Sequence, residues 1–306
     1  MHKKGYGIRE IARELNRSAS SISDELKRNG TKKGYNPKWA QAWANERQHD
    51  ARFQRKRITS NTELQTVIEG LLYQGQSPEN IAGRINHHEK HLAPTSKDSI
   101  YRFIKSQYGR RAEYHRGRKK KRPTKGRRAK SVRLQDRTFI DKRPLFINKR
   151  ERIGDAEADF LVSGRDGKGI ILVVVDRKSR SAFLEQIVKV TIENVHLAFL
   201  KIKARFPELK TLTADNDLLL QRHKELEILL VVKIYFCHPY HSWEKGTVEN
   251  TNKNIRQDIP KGSDISRYSK RIIHNIEIRL NTRILKCLDY KRPVEVLAES
   301  RKRKKR

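Results

Sequence analysis

Beyond residue 152 the chain is built from short apolar runs with glycine between them. Asp159 to Val162, Gly169 to Val175 and Ala182 to Val190 are such runs, with Gly164, Gly167 and Gly169 punctuating the first turn. Runs of this length bounded by turn residues read as strands, and three joined by short turns pair as an antiparallel meander. Thr191 to Phe206 then takes helical periodicity. Leu209 to Ala214 and Leu229 to Phe236 read as two further strands around a short helix, and another helix runs from Gly246 to Gln257. Three hairpin strands followed by alternating helix and strand restrict this half of the chain to an α/β fold on a mixed five-stranded sheet.

The first half has a different period. Ile8, Ile11, Ala12 and Leu15 recur at helical spacing, stop at Asn16, and resume with Ile22 and Leu26 behind Ser18, whose hydroxyl suits an N-cap. This reads as helix, tight turn, helix. Two such helices cannot bury their faces alone, so a leading helix is expected upstream of Met1. Trp39 and Trp43, one turn apart, read as a packing stripe. A second unit of the same kind runs from Leu64 to Ile104, with Pro78 at a first helical position and Ser96 as a cap.

Charge narrows the partner. Lys and Arg outnumber Asp and Glu by 70 to 35, and residues 1–150 alone hold 38 basic against 14 acidic residues. Such an excess points to a polyanion, nucleic acid first. Residues 106–150 carry the Arg118, Lys119, Lys120, Lys121, Arg122 run with few apolar residues, and read as a basic linker lying on phosphate. Cys237 and Cys287 lack the spacing of a zinc site or disulfide framework. No apolar run approaches the ~20 residues that cross a bilayer, so a cytoplasmic, nucleoid-associated protein with no membrane contact is expected.

Among the carboxylates, position separates Asp159 within the first strand, Asp215 at the end of a later one, and Glu249 one turn into a helix. If the first and fourth strands are neighbours, the three converge at one sheet edge. Oxygen ligands with open positions suit Mg²⁺, with Mn²⁺ as the alternative, and two ions ~4 Å apart serve an in-line phosphodiester displacement. His87, His88 and His91 read as exposed, and His238 and His241 as neighbours of the site.

The spaced motifs resemble the transposases of the insertion sequence 30 family, over nearly the whole chain. Ile8 to Ala12 with Ser20 to Ser23, and Ser77 to Arg84, are similar to its two helix-turn-helix units. Gly154 to Asp159 resembles its first acidic motif and Asp176 to Arg180 the hairpin that follows. The most specific stretch is Pro239-Tyr240, Trp243, Lys245-Gly246-Thr247, Glu249-Asn250-Thr251-Asn252, Arg256-Gln257 and Pro260-Lys261-Gly262, with Leu280-Asn281, Arg283, Lys286-Cys287-Leu288 and Pro293 beyond.

The resemblance implies a ribonuclease H-like, integrase-type core with a DDE triad of Asp159, Asp215 and Glu249 as catalytic residues and metal ligands. It implies a bacterial Mg²⁺-dependent enzyme that binds terminal inverted repeats, cleaves the element ends and transfers them to target DNA, as a homo-oligomer on double-stranded DNA. Candidate DNA contacts are Ser20, Ser21, Ser23, Lys27 and Arg28 in the recognition helix, the Arg118–Arg122 run, and Lys245, Lys253 and Arg256 beside Glu249.

The domains expected are a helix-turn-helix region at 1–58, a second unit at 59–105, the basic linker at 106–150 and the catalytic core with a basic tail at 151–306. The sequence departs from the family pattern at Asp24, Ala156, Asp217, His238 and His241-Ser242. An acid two residues from Asp215 disturbs metal geometry if it faces the site. The alternative function is a catalytically decayed remnant that only binds DNA or represses.

Overall fold

A computed structural model describes residues 5–31, 34–53, 58–106, 108–109, 136–238 and 241–304. The Arg118–Arg122 run and Pro239-Tyr240 lie outside the described residues.

Helices α1 (Ile8–Glu14) and α2 (Ala19–Asn29) form the first helix pair. Ser18 caps α2 by accepting the Ser21 amide at 3.1 Å, and Asn16 turns the chain at a φ of 49°. A ribbon of β1 (Gly30–Thr31) and β2 (Gly34–Tyr35), not legible in the sequence, leads into α3 (Pro37–Phe53). Polar bonds join these pieces: Glu25 accepts from Asn29 at 2.8 Å and from Tyr35 at 2.9 Å, and Arg47 of α3 donates to Asn29 at 2.6 Å. Trp39 is 61% exposed, so only part of the tryptophan stripe is packed.

The second unit is α4 (Thr62–Tyr73), α5 (Pro78–His88) and α6 (Lys97–Lys105), capped by Asn61, Ser77 and Ser96. Leu64, Ile68, Ile81, Ile85, Ile100 and Phe103 close its core, and Ile284 from the far end of the chain sits in the same cluster. Around Ile284 the attachment is polar. Asn80 donates to the Ile284 carbonyl at 2.8 Å, Gln76 accepts the Ile284 amide at 3.1 Å, and Arg84 makes a two-pronged pair with Glu295 at 2.7 and 3.0 Å.

Residues 136–150, at the end of the stretch read as linker, belong to the core. Phe139 bridges to Phe236, and Arg143 donates to Thr213 at 2.8 Å and to Asn148, the last residue of the short helix α7 (Leu145–Asn148).

The second half carries β3 (Asp155–Val162), β4 (Ile170–Asp176), β5 (Ala182–Ile187), α8 (Ile192–Arg205), β6 (Thr211–Ala214), α9 (His223–Leu230), β7 (Lys233–Phe236), α10 (Gly246–Ile255), α11 (Lys270–Asn281) and α12 (Pro293–Lys304). The sheet order is β5-β4-β3-β6-β7, antiparallel across the first three strands and parallel across the last three. The first and fourth strands are therefore neighbours, and the ribonuclease H-like order holds.

Strand alternation sets the layers. Ile170, Leu172 and Val174 of β4 face one core with Val195, Phe199 and Leu226, whereas Ile171, Val173 and Val175 face another with Val248, Ile255, Ile273 and Ile276. Fully burying each such side chain contributes ~1.5–3 kcal/mol, which is what presses helices onto both faces of the sheet. One boundary moves: Leu229 and Leu230, read as strand, close α9. The Leu226 and Leu230 stripe prefers the helix, which ends at Val231 in the left-handed region.

Candidate active site

Strand β3 places three acids on one face, because side chains two apart point the same way. Ala156 and Ala158 face the core, while Asp155, Glu157 and Asp159 face the opposite side. Asp155 is fully buried, paired with Arg152 at 2.9 Å and accepting from Thr211 of β6 at 2.7 Å. Glu157 is equally buried. One of its oxygens accepts from Arg177 at 2.9 Å, and the other accepts the backbone amides of Thr247 and Val248, both at 2.9 Å. Those amides open α10, so a carboxylate of β3 holds the first turn of that helix, where the helix dipole favours negative charge.

Asp159 lies further along β3, toward α10. Its Oδ1 accepts from Lys245 at 3.1 Å and its Oδ2 from Asn252 at 2.6 Å. The same Lys245 ammonium stands 3.4 Å from an oxygen of Asp215. Lys245 is only 3% exposed. Burial alone would depress its pKa, but Asp159 and Asp215 together raise it above the ordinary lysine value. Among the candidate DNA contacts, Lys245 stands as a buried countercharge between two acids.

Asp215 follows the last residue of β6 and is exposed. The next residue, Asn216, donates to the Cys237 carbonyl at 2.8 Å and accepts from Arg137, which ties the ends of β6 and β7 together. Asp217 is engaged in a backbone cap. Its side chain accepts the Leu219 amide at 2.9 Å as the cap of a short 3₁₀ turn over Leu218–Leu220.

Glu249 is half-buried in α10. At 100° per residue, Lys245, Glu249, Asn252 and Arg256 share one face of the helix. Two of the four touch Asp159, so Glu249 lies on the face turned to it. Among the described residues, however, the three carboxylates do not gather within 4.8 Å of one another. Lys245 fills the space between two of them. Asn252 Oδ1 is buried with no hydrogen-bond partner among the described residues, which leaves one oxygen beside Asp159 open to a cation.

The loop after β7 is fastened by Glu244. It accepts the His238 amide at 2.9 Å and lies 3.2 Å from the His238 ring and 3.3 Å from the His241 ring. Asp141 approaches His238 from the other side at 2.8 Å. The Glu244 hydrogen bond raises the His238 pKa, with Asp141 acting in the same direction. Neighbouring Cys237 is buried, which pushes its thiol up to about 12.

The remaining candidate DNA contacts divide by exposure. In α2, Ser20, Lys27 and Arg28 are exposed on one face, shared with Asp24. Ser21 is exposed but its hydroxyl lies 2.8 Å from that of the cap Ser18, and Ser23 is half-buried. Lys253 is exposed. Arg256 is half-buried and donates to the Val162 carbonyl at 3.1 Å, so it braces the end of β3.

A helix-turn-helix domain family matches residues 1–29. The transposase for insertion sequence element IS4351 of Bacteroides fragilis is 34% identical over 93% of this chain and 88% of its own length. That for element IS1086 of Cupriavidus metallidurans is 31% identical over 95% and 89%. Transposase InsI for element IS30A of Escherichia coli is 32% identical over 95% and 78%. Among solved structures, the catalytic core domain of BIV integrase aligns with 50% of this chain and 99% of its own at 19% identity, with a TM-score of 0.37. With identity above 30% sustained across nearly the whole chain, this protein belongs to the family of bacterial insertion sequence transposases that includes that of IS30.

Proposed function

We propose that this chain cuts and joins DNA at the ends of a mobile element, with Asp159, Asp215 and Glu249 as its catalytic carboxylates. The observation that carries the reading is the cation between Asp159 and Asp215: Lys245 is held there against its own burial. A fold that keeps a positive charge at that point has built a site for one. The donors are hard oxygens, those of the three carboxylates and Asn252 Oδ1, a set suited to Mg²⁺ or Mn²⁺. Two such ions, when bound, supply Lewis-acid activation of the attacking oxygen and stabilisation of the leaving one.

The chain's own residues do the positioning. Asn252 fixes the rotamer of Asp159, and Glu157 fixes the start of the helix that carries Glu249. Lys245, once released from the carboxylates, is a buried cation at the reaction centre available to a phosphate oxygen. The exposed face of α2, with Ser20, Lys27 and Arg28, reads the terminal inverted repeats, and the basic run before residue 136 lies on phosphate without regard to sequence. Joining two ends to a target calls for at least two copies on double-stranded DNA, in the bacterial cytoplasm at the nucleoid.

The test is cleavage of a labelled element-end duplex by the purified full chain with Mg²⁺. Nicking by the wild type and none by Asp215→Asn is expected. Equal cleavage by Asp215→Asn overturns the metal assignment. Specific repeat binding without cleavage by the wild type identifies the chain as a DNA-binding remnant.

A further inference from the structure

On the side of α10 away from Asp159 lies a cavity of about 380 Å³. Arg150, Arg180 and Arg283 line it with Thr247, Asn250 and Asn254, and no carboxylate does. The helix thus has three uses. Lys245, Glu249 and Asn252 face the acids, Val248 and Ile255 face the core, and Asn250 and Asn254 lie on the side opposite the acids, in the cavity wall.

Arg84 and Arg177 are held by carboxylate oxygens at 2.7 and 2.9 Å, and the buried Arg143 by the neutral oxygens of Thr213 and Asn148. Among the described residues, Arg150, Arg180 and Arg283 have no carboxylate partner, and they gather at one cavity. Arg180 Nη1 donates to the Thr247 hydroxyl at 2.8 Å, a neutral acceptor. Burial depresses the Arg180 pKa, and the charge of Arg150 depresses it further; the neighbouring Cys287 thiol and then Glu157 oppose them, and Glu157 is already shared by Arg177 and two helix amides. Burial likewise depresses Arg283, with Arg279 adding to it. Like charges gathered at a half-buried wall without a counterion are unfavourable unless an anion completes them.

We propose that this cavity is a subsite for a DNA backbone phosphate, separate from the catalytic carboxylates, that grips a strand beside the position being cut. Guanidinium forks together with amide and hydroxyl donors match the several oxygens of a phosphodiester. The cavity lies one helix width, ~10 Å, from the catalytic face. At the first turn of the helix Gly246 is exposed, and among the described residues no other segment comes within 4 Å of where its Cβ would stand. The identity of the anion as DNA rests on the cutting function proposed above; the anion site itself does not.

Cys287 lines the same cavity and is exposed, while Cys237, the other cysteine of the chain, is buried with a thiol pushed up to about 12. Ellman's reagent therefore reports on the cavity alone. In the full chain, an element-end duplex should slow Cys287 labelling at least several-fold. Arg150→Gln combined with Arg283→Gln should abolish that protection and reduce the slope of log affinity against log salt by about one unit, the value of one phosphate contact. Arg150→Glu alone, at a half-exposed position, covers the case in which the double variant melts early. Duplex binding with unchanged labelling, or an unchanged salt slope in a folded variant, overturns the proposal. Protection by inorganic phosphate but not by duplex overturns the DNA assignment and leaves a free-anion site. Asp215→Asn should lose cleavage but keep both protection and slope, and wild-type cleavage by that variant would sink the catalytic reading while leaving this one standing.

Discussion

Replacing Glu157 with Gln tests whether a strand carboxylate positions helix α10. The side chain is 1% exposed and serves three donors at 2.9 Å: Arg177 and the amides of Thr247 and Val248. Glutamine keeps the shape and one carbonyl oxygen but loses the charge, and it presents an NH₂ group to one side that offers only donors. Breaking a buried ion pair from one side costs ~3–5 kcal/mol, because the other charge stays behind. Arg177 is a severe case. Its pKa is lowered to about 10 by burial, with Arg143, Arg150 and Arg180 acting the same way and Glu157 opposing them. Loss of the charge at the first turn of α10 removes up to ~2 kcal/mol of dipole interaction, part of which is already within the first figure.

Glu157→Gln should therefore lose ~3–5 kcal/mol of a total stability of order 10 kcal/mol, read from urea unfolding followed by circular dichroism. Arg177→Met in the Glu157→Gln background should recover more than 1 kcal/mol, since the stranded guanidinium is then gone. A loss below ~1 kcal/mol for the single variant, or additivity of the two within ~0.5 kcal/mol, would refute the reasoning.

Three further outcomes are expected. Lys245→Met removes the cation that sits between Asp159 and Asp215, so the protein should melt lower without divalent ions and gain more from Mn²⁺ than the wild type; a melting temperature indifferent to Mn²⁺ counts against the site. In the native protein without DNA one thiol, Cys287, should react quickly with Ellman's reagent and Cys237 only on unfolding, and two fast thiols would contradict the burial of Cys237. His238 faces Glu244, Asp141 and His241, and its raised pKa means that its contribution to holding the loop is complete below the unfolded value of ~6.5 and is lost as pH rises through the higher folded value. An NMR titration should show that elevation and its loss in Glu244→Gln; an unchanged midpoint would show that Glu244 is not its source.

Much of the catalytic half could be read before any coordinates, because its signals are local. Gly164 to Gly169 mark a turn, the unbroken run of Ile, Leu and Val in β4 marks a strand with two buried faces, and Ser18, Ser77 and Ser96 mark helix starts. Asp159 and Asp215 became neighbours as soon as the strand order was assigned. What escaped depends on contacts between distant segments. Sequence reading names Lys245 only as a candidate DNA contact beside Glu249; the meeting of α10 with β3 and β6 is what buries it between two acids. Glu157 carried a signal that went unused: Asp155, Glu157 and Asp159 have the period of a strand face, and three acids on one face are either exposed or individually satisfied. The ends of α9 and β7 were misjudged because Leu229, Leu230, Val231 and Val232 form a short apolar run, which periodicity alone cannot assign to helix or strand.

Ile284 lies fully buried among Leu64, Ile81 and Phe103, more than 170 residues earlier in the sequence. The core of the second helical unit is therefore complete only when a segment synthesised long after it has folded back onto it. This packing step and the Arg84–Glu295 pair beside it thus tie the folding of the unit to the far half of the chain. A chain cut short before residue 284 keeps all its sheet strands and Glu249 yet leaves the helical unit unsealed, with its apolar interior open to water and to proteases. A polypeptide lacking residue 284 should on these terms be cut by protease within α4 to α6 more readily than the full chain.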